Sequence, residues 1–347
     1  MKKPPKNVLS VSLSLLVGAV LLGGVFYYVG WRNIFEEIGA LHPVGILVLA
    51  MNVVITTTLW IVGWWVILRG YGVMIPFHRV IGARLSGFAI SYITPSLYFG
   101  GEPVRALIAA DSSSAPIPRI FATIVVERFI GGMSLIVYIL IGGFFALMSP
   151  QVTHLERQGV LFGVPFILFW IIIGFIDFAG NFKWISRIIR LLARVFRFWK
   201  RGLEQAANKV AETEDEVYNA FTKHWRTTLL SFLIQLVANL LMYIRPLLFF
   251  YFSSHTILTF PQLSLVFTLS IIMSMVLWIT PGGLGTGEAA LIGIFALVGI
   301  AKDGAVAFSL SYKFFELLFV AVGLMYLFHK GIGRMWHRVR GSSRGSD

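Results

Sequence analysis

Cysteine is absent from this 347-residue chain. That excludes a disulfide framework, a thiolate metal site and a cysteine nucleophile. Histidine is sparse: seven residues lie scattered through loops and ends, without the spacing of a metal site. No Ser/His/Asp set is visible. The glycine-rich run Gly282-Gly283-Leu284-Gly285-Thr286-Gly287 is not followed by the Lys-Ser/Thr of a phosphate-binding loop. Acidic residues are few, 16 against 29 Lys and Arg. No polar stretch exceeds 181–226, so no soluble catalytic domain is expected. These absences predict a protein that is not an enzyme and holds neither cofactor nor metal.

What the chain has in excess is apolar surface, with 57% hydrophobic residues and a mean hydropathy of +0.81. Such a chain lacks the polar face a soluble domain turns to water. The expectation is an all-α integral membrane protein. Runs long enough to cross a hydrocarbon core, which takes about 20 residues, fall at Val8–Gly30, Val44–Leu68, Ile117–Met148, Val160–Gly180, Thr227–Phe252 and Gly304–Phe328. The first has no small-residue cleavage pattern at its end and reads as a helix rather than a signal peptide. Two further apolar segments, Arg79–Ala110 and Leu263–Ile300, are broken in the middle by Pro and Gly. Broken helices at membrane depth need surrounding protein or a wetted cavity.

The net charge of +13 points to topology rather than to nucleic acid. If both broken segments return to the side they entered, 23 of the basic residues fall in cytoplasmic stretches 1–7, 69–119, 181–226 and 330–347. Only Arg32, Arg157 and Lys302 fall outside, while Arg128, Arg245 and Lys313 are embedded. This positive-inside asymmetry predicts a multi-pass protein of the plasma or inner membrane with both termini cytoplasmic. The arm Gly101–Ala110 is too short to span, whereas the longer arm Leu263–Thr280 leaves open two full crossings for the second segment. Between Phe182 and Phe221 the pattern is amphipathic. Arg187, Arg190, Arg194, Arg197 and Arg201 form one stripe, with Ile188, Leu191, Leu192, Val195, Phe196 and Trp199 on the other side. The pattern reads either as an interfacial helix that attracts anionic headgroups or as a positive loop that only sets topology.

An internal repeat marks the centre. Thr94-Pro95-Ser96-Leu97-Tyr98-Phe99-Gly100-Gly101-Glu102 and Thr280-Pro281-Gly282-Gly283-Leu284-Gly285-Thr286-Gly287-Glu288 both read T-P-x5-G-E, at an offset of 186. Asn52 and Asn239 match at 187, and Arg128-Phe129 matches Lys313-Phe314 at 185. The predicted architecture is one polytopic domain over 1–347, with six full transmembrane helices and two re-entrant hairpins in an inverted repeat. Repeat 1 covers about 8–148 and repeat 2 about 160–329, the latter interrupted by the connector 182–226. In each motif Pro ends an arm, the glycines permit a tight reversal, and a helix starting after the tip turns free amides toward an anion.

Charged residues inside the bilayer must face a partner or a polar cavity. The candidate substrate contacts are Arg105, Arg128, Arg245 and Lys313, with Thr94, Gly101, Thr280, Gly285 and Gly287 at the tips. Glu102, Glu127, Glu288 and Glu316 are candidate charge partners or proton carriers. The plainer alternative is a closed set of ion pairs, Arg128 with Glu102 or Glu127 and Lys313 with Glu288 or Glu316.

The run Arg84-Leu85-Ser86-Gly87-Phe88…Thr94-Pro95…Gly101-Glu102-Pro103-Val104-Arg105, then Glu127-Arg128, then Thr280-Pro281-Gly282-Gly283-Leu284-Gly285…Glu288, resembles the flippase-like transmembrane domain of lysylphosphatidylglycerol synthases. The resemblance covers roughly 8–330, without the soluble aminoacyltransferase domain of the full synthases. It implies translocation of an anionic phospholipid or a polyprenyl-phosphate-linked lipid, with membrane lipids as partners and no nucleic acid. Two other readings stand beside it: an ion-coupled transporter of a small hydrophilic solute, and a non-transporting scaffold.

Overall fold

A computed structural model describes residues 27, 31–39, 41–94, 100–148, 150, 154–196, 200–277 and 280–330. The first predicted span, Val8–Gly30, lies outside them except for Tyr27. The described residues form helices α1 (Trp31–Gly39), α2 (Pro43–Gly70), α3 (Phe77–Ile93), α4 (Glu102–Ala110), α5 (Ile117–Met148), α6 (His154–Gly180), α7 (Trp184–Val195), α8 (Lys200–Thr222), α9 (Trp225–Tyr243), α10 (Arg245–Ser254), α11 (Phe260–Leu277), α12 (Thr286–Ala296) and α13 (Lys302–Lys330). A single 3-10 turn, Pro281–Gly283, separates α11 from α12. No strand occurs among the described residues.

Among the described residues, five stretches are long and apolar enough to cross a membrane: Pro43–Gly70, Ile117–Phe145, Arg157–Phe178, Trp225–Ser254 and Lys302–His329. The protein is a multi-pass, all-helical membrane protein. Each of the five sequence-predicted spans among the described residues corresponds to one of these stretches. The segment around Thr227–Phe252 is interrupted at Ile244, where α9 hands over to α10. Pro246 sits in the first turn of α10 and has no amide to donate to the turn before it.

Helices α3 and α4 occupy the first broken segment, and α11 and α12 the second. With 17, 9, 18 and 11 residues, each is shorter than the roughly 20 residues of a full crossing.

Packing between the two halves is reciprocal. Helix α2 lies along α9, α3 lies along α13, and α11 lies along α5. The first arm of each broken segment therefore packs on the long charged helix of the other half. Small residues make this possible, as expected where lipid tails supply no hydrophobic drive and backbones must approach closely. A Cβ on Gly82 of α3 would lie 2.2 Å from the Tyr326 ring of α13, and one on Gly142 of α5 would lie 2.0 Å from Thr268 Oγ1 of α11. These contacts are each other's counterparts, since 82 and 268 differ by 186 and 142 and 326 by 184.

The connector departs from the single amphipathic helix that its sequence suggests. It is two helices, α7 and α8, packed on each other, with Phe196 already outside helical geometry and Arg197 outside the described residues. Folding back buries Ser186 and Ala193 of α7, which one extended helix would leave bare, while Val217 of α8 joins the core of the bundle. Acidic side chains of α8 fix the join. Glu214 Oε1 accepts from the Ile185 and Ser186 amides at 3.0 and 3.4 Å. Lys183 Nζ meets Asp215 Oδ2 at 2.7 Å. Partial burial opposes the Asp215 charge, but hydrogen bonds from Lys183 and Asn181 outweigh it and hold this carboxyl below the usual aspartate range.

Candidate functional site

The embedded charges form three clusters and a cavity. In the first cluster Glu127 of α5 accepts two guanidiniums on one oxygen, from Arg84 of α3 at 2.9 Å and Arg105 of α4 at 2.8 Å. Gln235 of α9 reaches over from the other half and donates to the Glu127 carbonyl at 3.3 Å. The Arg105 guanidinium lies 3.6 Å from the centre of the Trp64 ring, whose indole N–H is anchored on Thr123 Oγ1 at 3.0 Å. Buried Trp64 thus supplies a π face to a cation taken out of water. Glu127 and Arg105 are each 2% exposed.

These contacts correct the basic-residue count in one respect. Arg84 and Arg105, placed by sequence in a cytoplasmic stretch, are internal. The positive asymmetry of the remaining loop residues survives without them. Arg84 is a site residue not among the candidates named from sequence, although the sequence carries a signal for it: it is an arginine in the middle of the apolar helix Phe77–Ile93.

The second cluster is the pair Arg128–Glu102. Arg128 Nε and Nη2 both donate to Glu102 Oε1, at 3.1 and 2.7 Å. The Arg128 side chain is 40% exposed, the most open of the embedded cations paired with a carboxylate. At the tip beside it, the Gly101 amide donates to Ser91 Oγ at 2.9 Å, which ties α3 to the start of α4. Thr94 turns its hydroxyl back onto the Ile90 carbonyl at 2.5 Å. Positions 95–99 of this motif lie outside the described residues.

The third cluster closes the second tip. Lys313 Nζ lies 2.5 Å from Glu288 Oε1 and donates to the Gly283 carbonyl at 3.0 Å. The other Glu288 oxygen accepts the Gly285 amide at 2.7 Å, and Ser309 Oγ donates to Oε1 at 3.1 Å. Glu288 thereby caps α12 as its first-turn position suggests. Thr280 Oγ1 donates to the Leu284 carbonyl at 2.8 Å. Gly282, Gly283 and Gly285 have φ of +60°, +62° and +79°, a region that admits glycine at little cost. Gly282 also presses on Tyr92 at the end of α3, where a Cβ would stand 2.3 Å from the ring. The flank of one broken segment thus meets the tip of the other.

Beside this tip is a cavity of about 340 Å³. Its walls are mainly apolar, from Val266, Phe267 and Ile271 of α11 across to Leu291, Ile294 and Phe308. Arg245, Tyr312, Lys313, Glu316, Ser270, Ser274 and Ser309 add its polar lining, and Gly287 also borders it. Arg245 Nε donates to Asn52 Oδ1 of the other half at 3.0 Å, and its guanidinium sits 5.2 Å from the Tyr312 ring. It makes no other hydrogen bond and no ion pair among the described residues. Glu316 makes neither hydrogen bond nor ion pair among them, although it shares the cavity with Lys313 and Arg245.

Of the nominated residues, Arg245, Lys313, Glu316 and Gly287 therefore share the cavity. Arg128 and Glu102 pair with each other in the first half, outside the cavity lining, and Arg105 and Glu127 are enclosed. Thr94, Gly101, Thr280 and Gly285 satisfy their own turns. No group of acidic and histidine side chains suited to a metal occurs among the described residues.

The chain resembles three archaeal proteins over most of its length. It is 25% identical to the UPF0104 membrane protein PH1989 of Pyrococcus horikoshii, covering 85% of this chain and 89% of that one. It is 22% identical to a UPF0104 membrane protein of Methanothermobacter thermautotrophicus, with 85% and 88% covered. It is 24% identical to the UPF0104 membrane protein MJ1595 of Methanocaldococcus jannaschii, with 86% and 88% covered. Residues 8–323, which contain all the clusters above, match the family described as lysylphosphatidylglycerol synthase TM region, and the chain belongs to that family.

Proposed function

We propose that this protein is a lipid translocase that passes an anionic phospholipid or a polyprenyl-phosphate-linked lipid between leaflets. The observation that carries the reading is the cavity beside the second tip. It joins apolar walls to a guanidinium, an ammonium and an unpaired carboxylate, which is the division of chemistry within an anionic lipid. Arg245 offers nitrogen donors not used by the protein, and arginine suits phosphate geometry. Glu316 holds the cavity near electrical balance when empty and is the carboxylate that an arriving phosphate would displace from the field of Arg245 and Lys313.

The reciprocal packing and the short arms favour two re-entrant hairpins related by an inverted repeat. In such designs the two halves exchange conformations around a central site. On that reading the enclosed cluster Arg84–Glu127–Arg105 is the closed counterpart of the open cavity. The apolar walls favour a lipid over the small hydrophilic solute of the rival reading, and the unpaired Arg245 and Glu316 speak against a purely structural role for every embedded charge.

The native chain has no cysteine, so a single one at Ser274 on the cavity wall reports occupancy directly. Alkylation of S274C by a small maleimide is expected to slow severalfold in nanodiscs containing anionic phospholipid, relative to zwitterionic lipid alone. Soluble glycerol phosphate at the same concentration should not protect. Protection by the soluble phosphate instead would favour a hydrophilic solute, and no protection by either would remove the cavity as a lipid site.

A further inference from the structure

Helix α7 carries three separate faces in only 12 residues. Ser186, Ile189 and Ala193 turn toward α8, with Ser186 and Ala193 buried. Arg187, Arg190 and Arg194 follow at steps of three and four, all exposed, and so make a second stripe. The remaining arc holds Trp184, Ile185, Ile188, Leu191, Leu192 and Val195, all exposed, with Leu191 58% and Val195 67% accessible. An apolar arc of this kind facing water is unfavourable by its full transfer energy and marks an interaction surface.

Three observations identify its occupant. Helix α6 is a membrane-spanning candidate whose described side chains are largely uncovered, with Phe166, Phe169, Trp170, Ile172 and Ile176 exposed. Only Asn181, Phe182 and Lys183 separate its end from α7, so the bare arc begins where a lipid-facing helix leaves the membrane. At that junction Phe182 stacks on Trp184, with ring centres 5.7 Å apart, in the position where aromatic side chains favour the headgroup layer. The arginine stripe borders the apolar arc on one side only. Helix α8 already covers the remaining face and fixes the roll of α7 through Glu214 and Asp215.

We infer that α7 is a membrane-surface helix that inserts its Trp184–Ile188–Leu191–Val195 arc into the lipid and selects anionic headgroups through Arg187, Arg190 and Arg194. The contact lies outside the cavity, so it stands whether or not the chain translocates lipid. Its chemistry is that of an interfacial amphipathic helix, in which buried apolar area supplies binding and arginines add preference for negative lipid.

The test uses the full chain in nanodiscs, which leave both membrane faces open to reagents. A polarity-sensitive fluorophore is attached to I188C or L191C, and lipids brominated on the acyl chain serve as quenchers against aqueous iodide. We expect bromolipid to quench at both positions at least twice as strongly as iodide. Quenching by bromolipid should rise when part of the phosphatidylcholine is replaced by phosphatidylglycerol, and R187Q/R190Q/R194Q should abolish that rise while leaving the melting temperature unchanged. Iodide as the stronger quencher would overturn the inference. So would protection from both quenchers, which would mean that protein covers the arc. Bromolipid quenching indifferent to phosphatidylglycerol would overturn the selection of anionic headgroups.

Discussion

Replacing Glu127 by leucine is expected to destabilise the protein by about 3–5 kcal/mol, because it removes the one carboxylate shared by two embedded guanidiniums, that of Arg105 buried. Arg84 and Arg105 would then face each other without a counter-ion in a site where Glu127 and Arg105 are only 2% exposed. The loss exceeds what the ion pairs contribute net, since most of it is the cost of stranding charge away from water. Thermal unfolding in detergent measures it, and a second substitution identifies its origin. Arg105→Met added to E127L should restore part of the stability, because one of the two stranded cations is gone and methionine can still lie against Trp64. An E127L protein within about 1 kcal/mol of wild type, the range of an exposed pair, would show that these charges are not held together as described.

Lys313→Met should cost a similar amount, about 3–5 kcal/mol, with a different local signature. Glu288 is fully buried and has Lys313 as its cation. Lys313 also holds the Gly283 carbonyl, so the substitution frees the tip as well as the carboxylate. Hydrogen exchange at amides 283–288 should therefore accelerate, while amides 104–109 in α4 keep their wild-type rates. Adding E288Q to K313M should recover stability, because a neutral amide can still accept from the Gly285 amide. Uniform acceleration in both segments would mean that the pair supports the whole bundle rather than this tip.

Much of this arrangement is legible in the sequence alone. The spans were readable because a bilayer imposes length and apolarity on a helix with little room for exceptions. The T-P-x5-G-E segments were readable because Pro and Gly break apolar helices in a way composition alone exposes. Partner choice was not. Arg128 takes Glu102 rather than its neighbour Glu127, which is claimed by Arg84 and Arg105 from two other helices. Arg245 rests on Asn52, a pairing 193 residues apart that no local pattern encodes. The connector was misread as one helix for a related reason. Its arginine stripe is continuous in sequence, whereas the packing of α8 against the start of α7 is fixed by Glu214 and Asp215, roughly thirty residues from their partners.

The central claim is that the cavity beside the second tip carries a lipid phosphate, and Arg245 is the residue on which to test it. Arg245→Gln keeps a donor for Asn52 and leaves no buried carboxylate without its ion pair, so the fold should survive with an unchanged melting temperature. The measurement is transbilayer movement of a fluorescent anionic phospholipid in proteoliposomes, followed by reductant quenching of the outer leaflet. Wild-type protein should accelerate movement well above protein-free vesicles. Loss of one charge-assisted contact worth about 1.5–3 kcal/mol should slow R245Q by roughly ten- to a hundredfold if that contact is realised during transfer. Equal rates for wild type and R245Q, or a wild-type rate no higher than that of empty vesicles, would contradict the account.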